Sequence, residues 1–164
     1  MSRAAIERLE RWGANPKAFV RNVFGVRPDA WQDDVLEAFP SQPRLAMKAC
    51  KGPGKTAVLA WLAWYFLMTR PDPKIAATSV SGDNLADNLW AEMAKWQARS
   101  PLLTAAFEWT KTRIFHRERP ETWWMSAAPG RAPPTRRGSA RRWPACTPTT
   151  SCSCSTNRAA SPTR

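Results

Sequence analysis

Apolar positions recur at helical spacing from the start of the chain. Ala4, Ile6, Leu9 and Trp12 mark one face of a short amphipathic helix over 4–12, ended by Gly13. Pro16 then takes a first helical position ahead of Phe19, Val20, Val23 and Phe24, with Gly25 closing that helix. Arg27-Pro28-Asp29 reads as a turn, and Asp29 can cap a third helix carrying Trp31, Val35, Leu36 and Phe39, which Pro40 and Pro43 stop. Arg44–Cys50 is an apolar run of the length of one buried strand. Beyond the glycines at 52 and 54, Lys55–Thr69 is apolar nearly all round, the pattern of a helix buried against a sheet. Lys74–Thr78 fits a second strand. Residues 44–78 therefore read as a strand–loop–helix–strand unit, and a crossover of that length predicts parallel pairing of its two strands.

Ser81 or Asp83 starts the next helix, through Leu85, Leu89, Trp90, Met93 and Trp96, and a short helix follows Pro101. Glu108–His116 and Thr122–Ser126 alternate as a strand pair. Near residue 127 the pattern is lost. Residues 128–164 hold six of the 15 prolines, a single aromatic, Trp143, and no helical or strand period. Such a segment buries too little surface to offset the entropy of ordering it, so it is expected to be disordered. The expected division is a helical lead over 1–43, an α/β core over 44–127 and a disordered tail over 128–164.

Charge changes this picture less than its total suggests. The net charge is +12, but the tail contributes seven arginines and no carboxylate, leaving the body at +5 with 18 basic and 13 acidic residues. The body alone is a weak indication of a nucleic-acid partner. No signal peptide is recognisable among the charges around Ile6, Leu9 and Trp12, and Ala57–Met68 falls short of the roughly 20 apolar residues a membrane span needs. A cytoplasmic location away from membranes is the expectation. Cys50 is the one cysteine of the body, beside Cys146, Cys152 and Cys154 in the tail. With His116 the lone histidine, neither a disulfide framework nor a zinc site is indicated.

The chemistry lies in Ala49-Cys50-Lys51-Gly52-Pro53-Gly54-Lys55-Thr56, which follows G-x-x-x-x-G-K-[ST] with Ala49 in place of the first glycine. Gly52 and Gly54 let the backbone curl so that successive N–H groups face phosphate oxygens. The helix that follows adds its positive end. Lys55 can reach the β and γ phosphates of a nucleotide, and the Thr56 hydroxyl can ligate Mg²⁺. Lys51 inside the loop either neutralises charge on a transferring phosphate, as a finger in cis, or is a solvated loop lysine. Upstream, Gln32 either reads adenine with its paired donor and acceptor or is a surface glutamine beside the core tryptophan Trp31.

Taken together, Asp29-Ala30-Trp31-Gln32, the Lys48–Thr56 segment, and Ala77-Thr78-Ser79 ahead of a tryptophan-bearing helix resemble the ATPase domain of phage terminase large subunits. Members of that family share the departed first glycine, a glutamine adenine motif ahead of the loop and a basic residue within it, the position of Lys51. The resemblance covers about residues 10–126. It implies an α/β, P-loop NTPase three-layer sandwich, incomplete here, with ATP and Mg²⁺ as cofactors. Gly52, Pro53, Gly54, Lys55, Thr56 and Gln32 would form the nucleotide site, Thr56 would meet the metal, and Lys51 would be the finger. It also implies double-stranded DNA, a terminase small subunit and a portal or prohead as partners, in the host cytoplasm. Two other readings share parts of the pattern: another P-loop enzyme, such as a helicase or nucleoside kinase, and a small basic nucleic-acid-binding protein acting through the arginine tail.

The chain departs from the family after the loop. No run of apolar residues ending in Asp-Glu follows Thr56, and no nuclease carboxylate cluster is present. The tail offers an explanation at the codon level. Read one frame over, Ser151-Cys152-Ser153-Cys154-Ser155 permits five consecutive apolar residues, Thr156 permits Asp and Asn157 permits Glu. The alternation of serine and cysteine therefore has the form of an out-of-frame Walker B strand, the alternative being a Ser/Thr/Pro-rich disordered tail. Sequencing the gene downstream of codons 125–130 is expected to show a long open frame, one register over, that encodes the apolar run and Asp-Glu. A stop codon ahead of that run would refute this reading.

Overall fold

The segment Lys55–Thr69 has no polar face to give to water, and the rest of the chain folds around it. In the computed structural model, which describes residues 3–79 and 84–129, this segment is one α-helix. Four helices precede the first strand: α1 (Arg3–Ala14), α2 (Pro16–Phe24), α3 (Ala30–Ala38) and α4 (Lys55–Thr69). After β1 (Lys74–Ser79), a π-helical stretch (Leu85–Trp90) runs into α5 (Ala91–Ala98), followed by α6 (Pro101–Ala106). Strands β2 (Phe107–Trp109), β3 (Arg113–His116) and β4 (Trp124–Pro129) complete the described fold, a mixed α/β arrangement of six α-helices and a four-stranded open sheet.

Local signals place the first helices. Asn15 caps α2, its Oδ1 accepting from the Ala18 N–H at 3.0 Å, with Pro16 inside the first turn. Gly25 ends α2 at a left-handed φ of 67°, its N–H returning to Arg21 O. Around α4, Val58, Trp61, Leu62, Trp64, Tyr65 and Leu67 are all buried. Each such side chain contributes about 1.5–3 kcal/mol through its burial. Their neighbours come chiefly from α1, α2, α5 and the π-helical stretch, so α4 is enclosed by other helices more than by the sheet that its pattern predicts. The sheet reaches it through aromatic rings: Phe107 and Trp109 meet Trp64 at centroid distances of 5.3 and 6.4 Å.

Three aromatic side chains also fix α4 through their polar ends. Tyr65 donates its hydroxyl to Gly13 O at 2.6 Å, Trp64 donates to Met93 O at 3.2 Å, and Trp123 donates to Leu67 O at 2.7 Å. A second polar junction ties α5 to α6 and β2. There the buried Gln97 amide donates to Leu103 O and Phe107 O and accepts from the Trp109 indole. A buried amide with its donor and acceptor both engaged specifies a geometry that apolar packing alone leaves looser.

The sheet differs from expectation in two ways. Its order is β1-β4-β3-β2, with β1 parallel to β4 in the register Lys74↔Trp124 to Ser79↔Pro129, and antiparallel pairs elsewhere. The expected strand over Arg44–Cys50 does not form: none of the four strands pairs with it, and Arg44, Leu45, Ala46, Lys48 and Cys50 are exposed. An apolar run becomes a strand only where a neighbour satisfies its N–H and C=O groups, and β1 takes β4 instead. Second, Glu108–His116 is itself a hairpin, β2 and β3, and not one strand. Ile75, Ala77, Ile114, Met125 and Ala127 face the helices, whereas Lys74, Ala76 and Thr78 are exposed on the other face, so the described residues form two layers where three were expected. The expected helix start at Ser81 or Asp83 lies outside the described residues, as does the tail beyond Pro129, while the tail's first two residues close β4.

His116, the lone histidine, sits where β3 leaves the sheet. Its ring stacks on Trp123 at 4.5 Å and meets the Phe107 ring edge-on, and its Nδ1 accepts the Glu118 N–H at 3.2 Å. Burial pushes its pKa below the ordinary 6.5, Arg119 adds to that, and Glu118 opposes it. A histidine depressed in the folded state contributes stability that is present above 6.5 and lost as the pH falls through its folded value, because the unfolded chain binds the proton more readily. The thermal midpoint is expected to fall as the pH is taken from about 7.5 to about 5.5. His116→Gln, which keeps an acceptor for Glu118 and cannot titrate, is expected to flatten that slope; an unchanged slope in the variant would assign it to other groups.

Candidate functional site

The motif residues lie on one short path, from the exposed 44–50 segment through a bend at 51–54 into the first turn of α4. Gly52 and Gly54 both have left-handed φ values, 94° and 89°, which residues with a side chain rarely adopt. This curl is what the motif's glycines predict. Gly54 is the residue before the helix, and its carbonyl accepts the Val58 N–H at 3.1 Å. The N–H groups of Lys55, Thr56 and Ala57 therefore stand at the open positive end of a 15-residue helix, where an anion is favoured.

Lys55 folds back over its own loop, donating from Nζ to Ala49 O at 3.0 Å and to Cys50 O. The loop carbonyls hold the ammonium group in reserve at the mouth of the curl. Spacing alone points to Lys55 as the phosphate-facing cation but not to Ala49 and Cys50 as its partners, because a carbonyl acceptor leaves no mark on residue type. Pro53 and Thr56 are half-buried, and Lys51 is exposed.

Gln32 comes to the same place from α3. It is buried, with 7% of its surface exposed, and its Oε1 accepts the Asp29 N–H at 2.9 Å. The other end of the carboxamide faces the loop: a β-carbon placed on Gly54 would fall 2.9 Å from Gln32 Nε2. A β-carbon at 54 would therefore push the end of the glutamine side chain aside. The Asp29-x-x-Gln32 spacing carries a legible signal for half of this arrangement, since Gln three residues after a capping Asp is the pattern in which a side chain reaches back to the cap backbone. The expectation of a base reader or a surface glutamine passes over that signal, and the surface position is wrong: the side chain is buried because it turns back to the cap of α3.

Three of the carboxylates after Thr56 are engaged away from the loop. Asp72 accepts from Thr122 at 2.9 Å and pairs with Arg119 at 3.3 Å, which holds its carboxyl below the ordinary carboxylate range. Glu92 accepts from the Trp96 indole at 2.7 Å, and Glu108 pairs with Arg117 at 3.2 Å. Among the described residues, no three His, Cys, Asp or Glu side chains gather as a metal site, and no helix is long and apolar enough to cross a membrane. Compared with protein families and with curated proteins, the chain matches none.

The glycine geometry separates two substitutions. Gly52→Ala meets nothing within 4 Å and incurs only the backbone strain of its φ, whereas Gly54→Ala adds a collision with Gln32. Denaturant unfolding is expected to show about 1–2 kcal/mol lost at position 52. The loss at position 54 is expected to be clearly larger, and part of it should return in a Gly54→Ala, Gln32→Ala double variant. Equal losses at the two positions would show that the glutamine contact is slack.

Proposed function

We propose that the chain binds Mg·ATP through the 49–56 loop and represents the nucleotide-binding front portion of a DNA-packaging motor ATPase of the phage terminase large-subunit type. The observation that supports this most is the curl at Gly52 and Gly54 running directly into a long buried helix, with Lys55 at its first position. Lys55, gathered over the loop carbonyls, adds a cation at the same place. On this reading the fold is an incomplete P-loop NTPase sandwich. Its partners are double-stranded DNA, a terminase small subunit and a portal or prohead, in the host cytoplasm.

The donor set fits the phosphates. The N–H groups at the start of α4 supply hydrogen bonds and a positive end, and Lys55 exchanges its carbonyl partners for phosphate oxygens by side-chain rotation. Thr56 gives Mg²⁺ one hydroxyl ligand, and the bound nucleotide supplies the transferable phosphoryl group. On this reading Lys51, exposed at the loop, would act as a finger in cis toward the outer phosphate. Among the described residues, Asp72, Glu92 and Glu108 are committed elsewhere, to Thr122 and Arg119, to Trp96 and to Arg117. Binding without efficient turnover is the consequence, because hydrolysis also needs an oriented water and a carboxylate behind the metal.

Lys55→Ala is expected to weaken Mg·ATP binding more than about tenfold by calorimetry, since a hydrogen bond to a charged oxygen is worth roughly 1.5–3 kcal/mol. Steady-state phosphate release by the chain, with or without DNA, is expected to stay well below about 1 s⁻¹, the low end of ordinary enzyme rates. Unchanged affinity in the variant would reduce the loop to a turn. Turnover above that rate, abolished by Lys55→Ala, would refute the claim that the catalytic carboxylates are not in place.

A further inference from the structure

Gln32 occupies a position from which two roles are open, and its contacts separate them. A base reader needs the carboxamide oxygen and nitrogen both directed at the ligand, as a paired acceptor and donor. Here the oxygen is already used: Oε1 accepts the Asp29 N–H at 2.9 Å, completing the first turn of α3. The nitrogen end lies against Gly54, so close that a β-carbon there would be 2.9 Å away. With 7% of its surface exposed, the residue offers a base little to touch. The carboxamide thus spans two backbones, the cap of α3 on one side and the pivot of the loop on the other.

We propose that Gln32 is a positioning residue for the phosphate loop, which clamps the start of α3 to Gly54 and does not read the base. The physical effect is on the loop's entropy. The bend at 51–54 has exposed residues at Lys51 and Gly52 and pairs with no described strand, so beyond α4, into which it runs, its curl is held by side chains: Lys55 on Ala49 O and Cys50 O, and Gln32 against Gly54. Around α3 the wedge is anchored by Leu36, fully buried, and by the Arg21–Asp33 and Lys17–Glu37 pairs to α2. Gln32 extends that anchorage to the loop and lets the backbone N–H groups stand ready before the ligand arrives, which lowers the ordering cost of binding. Selectivity at this end of the site is accordingly for the polyphosphate, and Gln32 makes no distinction between adenine and guanine. This inference rests on the phosphate-binding reading above, but its first readout does not.

The experiment uses the full chain with Gln32→Ala and Gln32→Glu; the glutamate keeps the oxygen that accepts from Asp29 and nearly the same shape. Without ligand, hydrogen exchange at the Asp29 amide, which donates to Gln32 Oε1, and at the Val58 amide, which donates to Gly54 O, is expected to quicken about tenfold in Gln32→Ala, the scale of a lost helix cap. In Gln32→Glu it is expected to stay near the parent rate. Binding of Mg·ATP, Mg·GTP and Mg·tripolyphosphate is then compared by calorimetry, and Gln32→Ala is expected to weaken all three by the same factor. A selective loss for ATP, with exchange at both amides unchanged, would overturn the proposal and make Gln32 a base reader. If the parent chain binds none of the three, the phosphate-binding reading fails, and the exchange rates alone decide whether Gln32 positions the loop; unchanged exchange in Gln32→Ala then refutes that as well.

Discussion

The enclosure of α4 is the constraint on which the rest of the structure depends. A fifteen-residue helix with tryptophan, tyrosine, phenylalanine and leucine on every side cannot lie on a surface. It draws α1, α2 and α5 around itself and is met from the sheet by Phe107, Trp109 and Trp123. The edge-to-face contacts of Phe19 with Trp12, Phe24 and Tyr65 continue that shell through the N-terminal helices. Burial supplies the driving force, and the hydrogen bonds from Tyr65, Trp64 and Trp123 set the rotation of the helix within its shell. The surface ion pairs add little by comparison, since exposed pairs are worth at most about 1 kcal/mol.

The candidate site inherits its precision from that burial. A helix whose flanks are locked cannot rotate, so the N–H groups of its first turn hold a fixed direction even though the loop before them is exposed. The loop itself is held less well on its upstream side, where Arg44–Cys50 belongs to no ladder. Lys55 bridging to Ala49 O and Cys50 O, and Gln32 against Gly54, are the two contacts that restrain it. Both are side-chain contacts of modest energy, which suits a loop that must admit a ligand and rearrange its lysine on doing so.

The sheet plays a secondary part and is organised by the segment that returns to it. Asp72, at a left-handed φ of 46°, accepts from Thr122 and pairs with Arg119, joining the approach to β1 to the turn before β4. The Trp124 N–H donates to Pro73 O just ahead of the ladder, and the parallel pair then runs on for six residues. His116 and Trp123 stack across the same turn. A cluster made of one charged pair, one neutral histidine and one indole closes the sheet at the end where two distant stretches of chain meet.

Local chemistry decided much of this protein and is legible in its residues. Pro16 and Gly25 bound α2, the apolar run Lys55–Thr69 bounds α4 to the residue, and two glycines in the loop announce a left-handed backbone. These signals are readable because each depends on φ restrictions or on burial of a continuous face, properties that belong to a residue and its near neighbours. What the chain pairs with depends on distant segments, and there the sequence was ambiguous. Arg44–Cys50 has a strand's composition yet no partner among the described residues, while β1 finds one fifty residues downstream at Trp124–Pro129. Gln32 shows the same limit at the scale of one side chain. The Asp29-x-x-Gln32 spacing encodes its oxygen's partner, but only the packing of α3 against the loop sets its nitrogen beside Gly54, because that contact joins residues whose proximity no local pattern records.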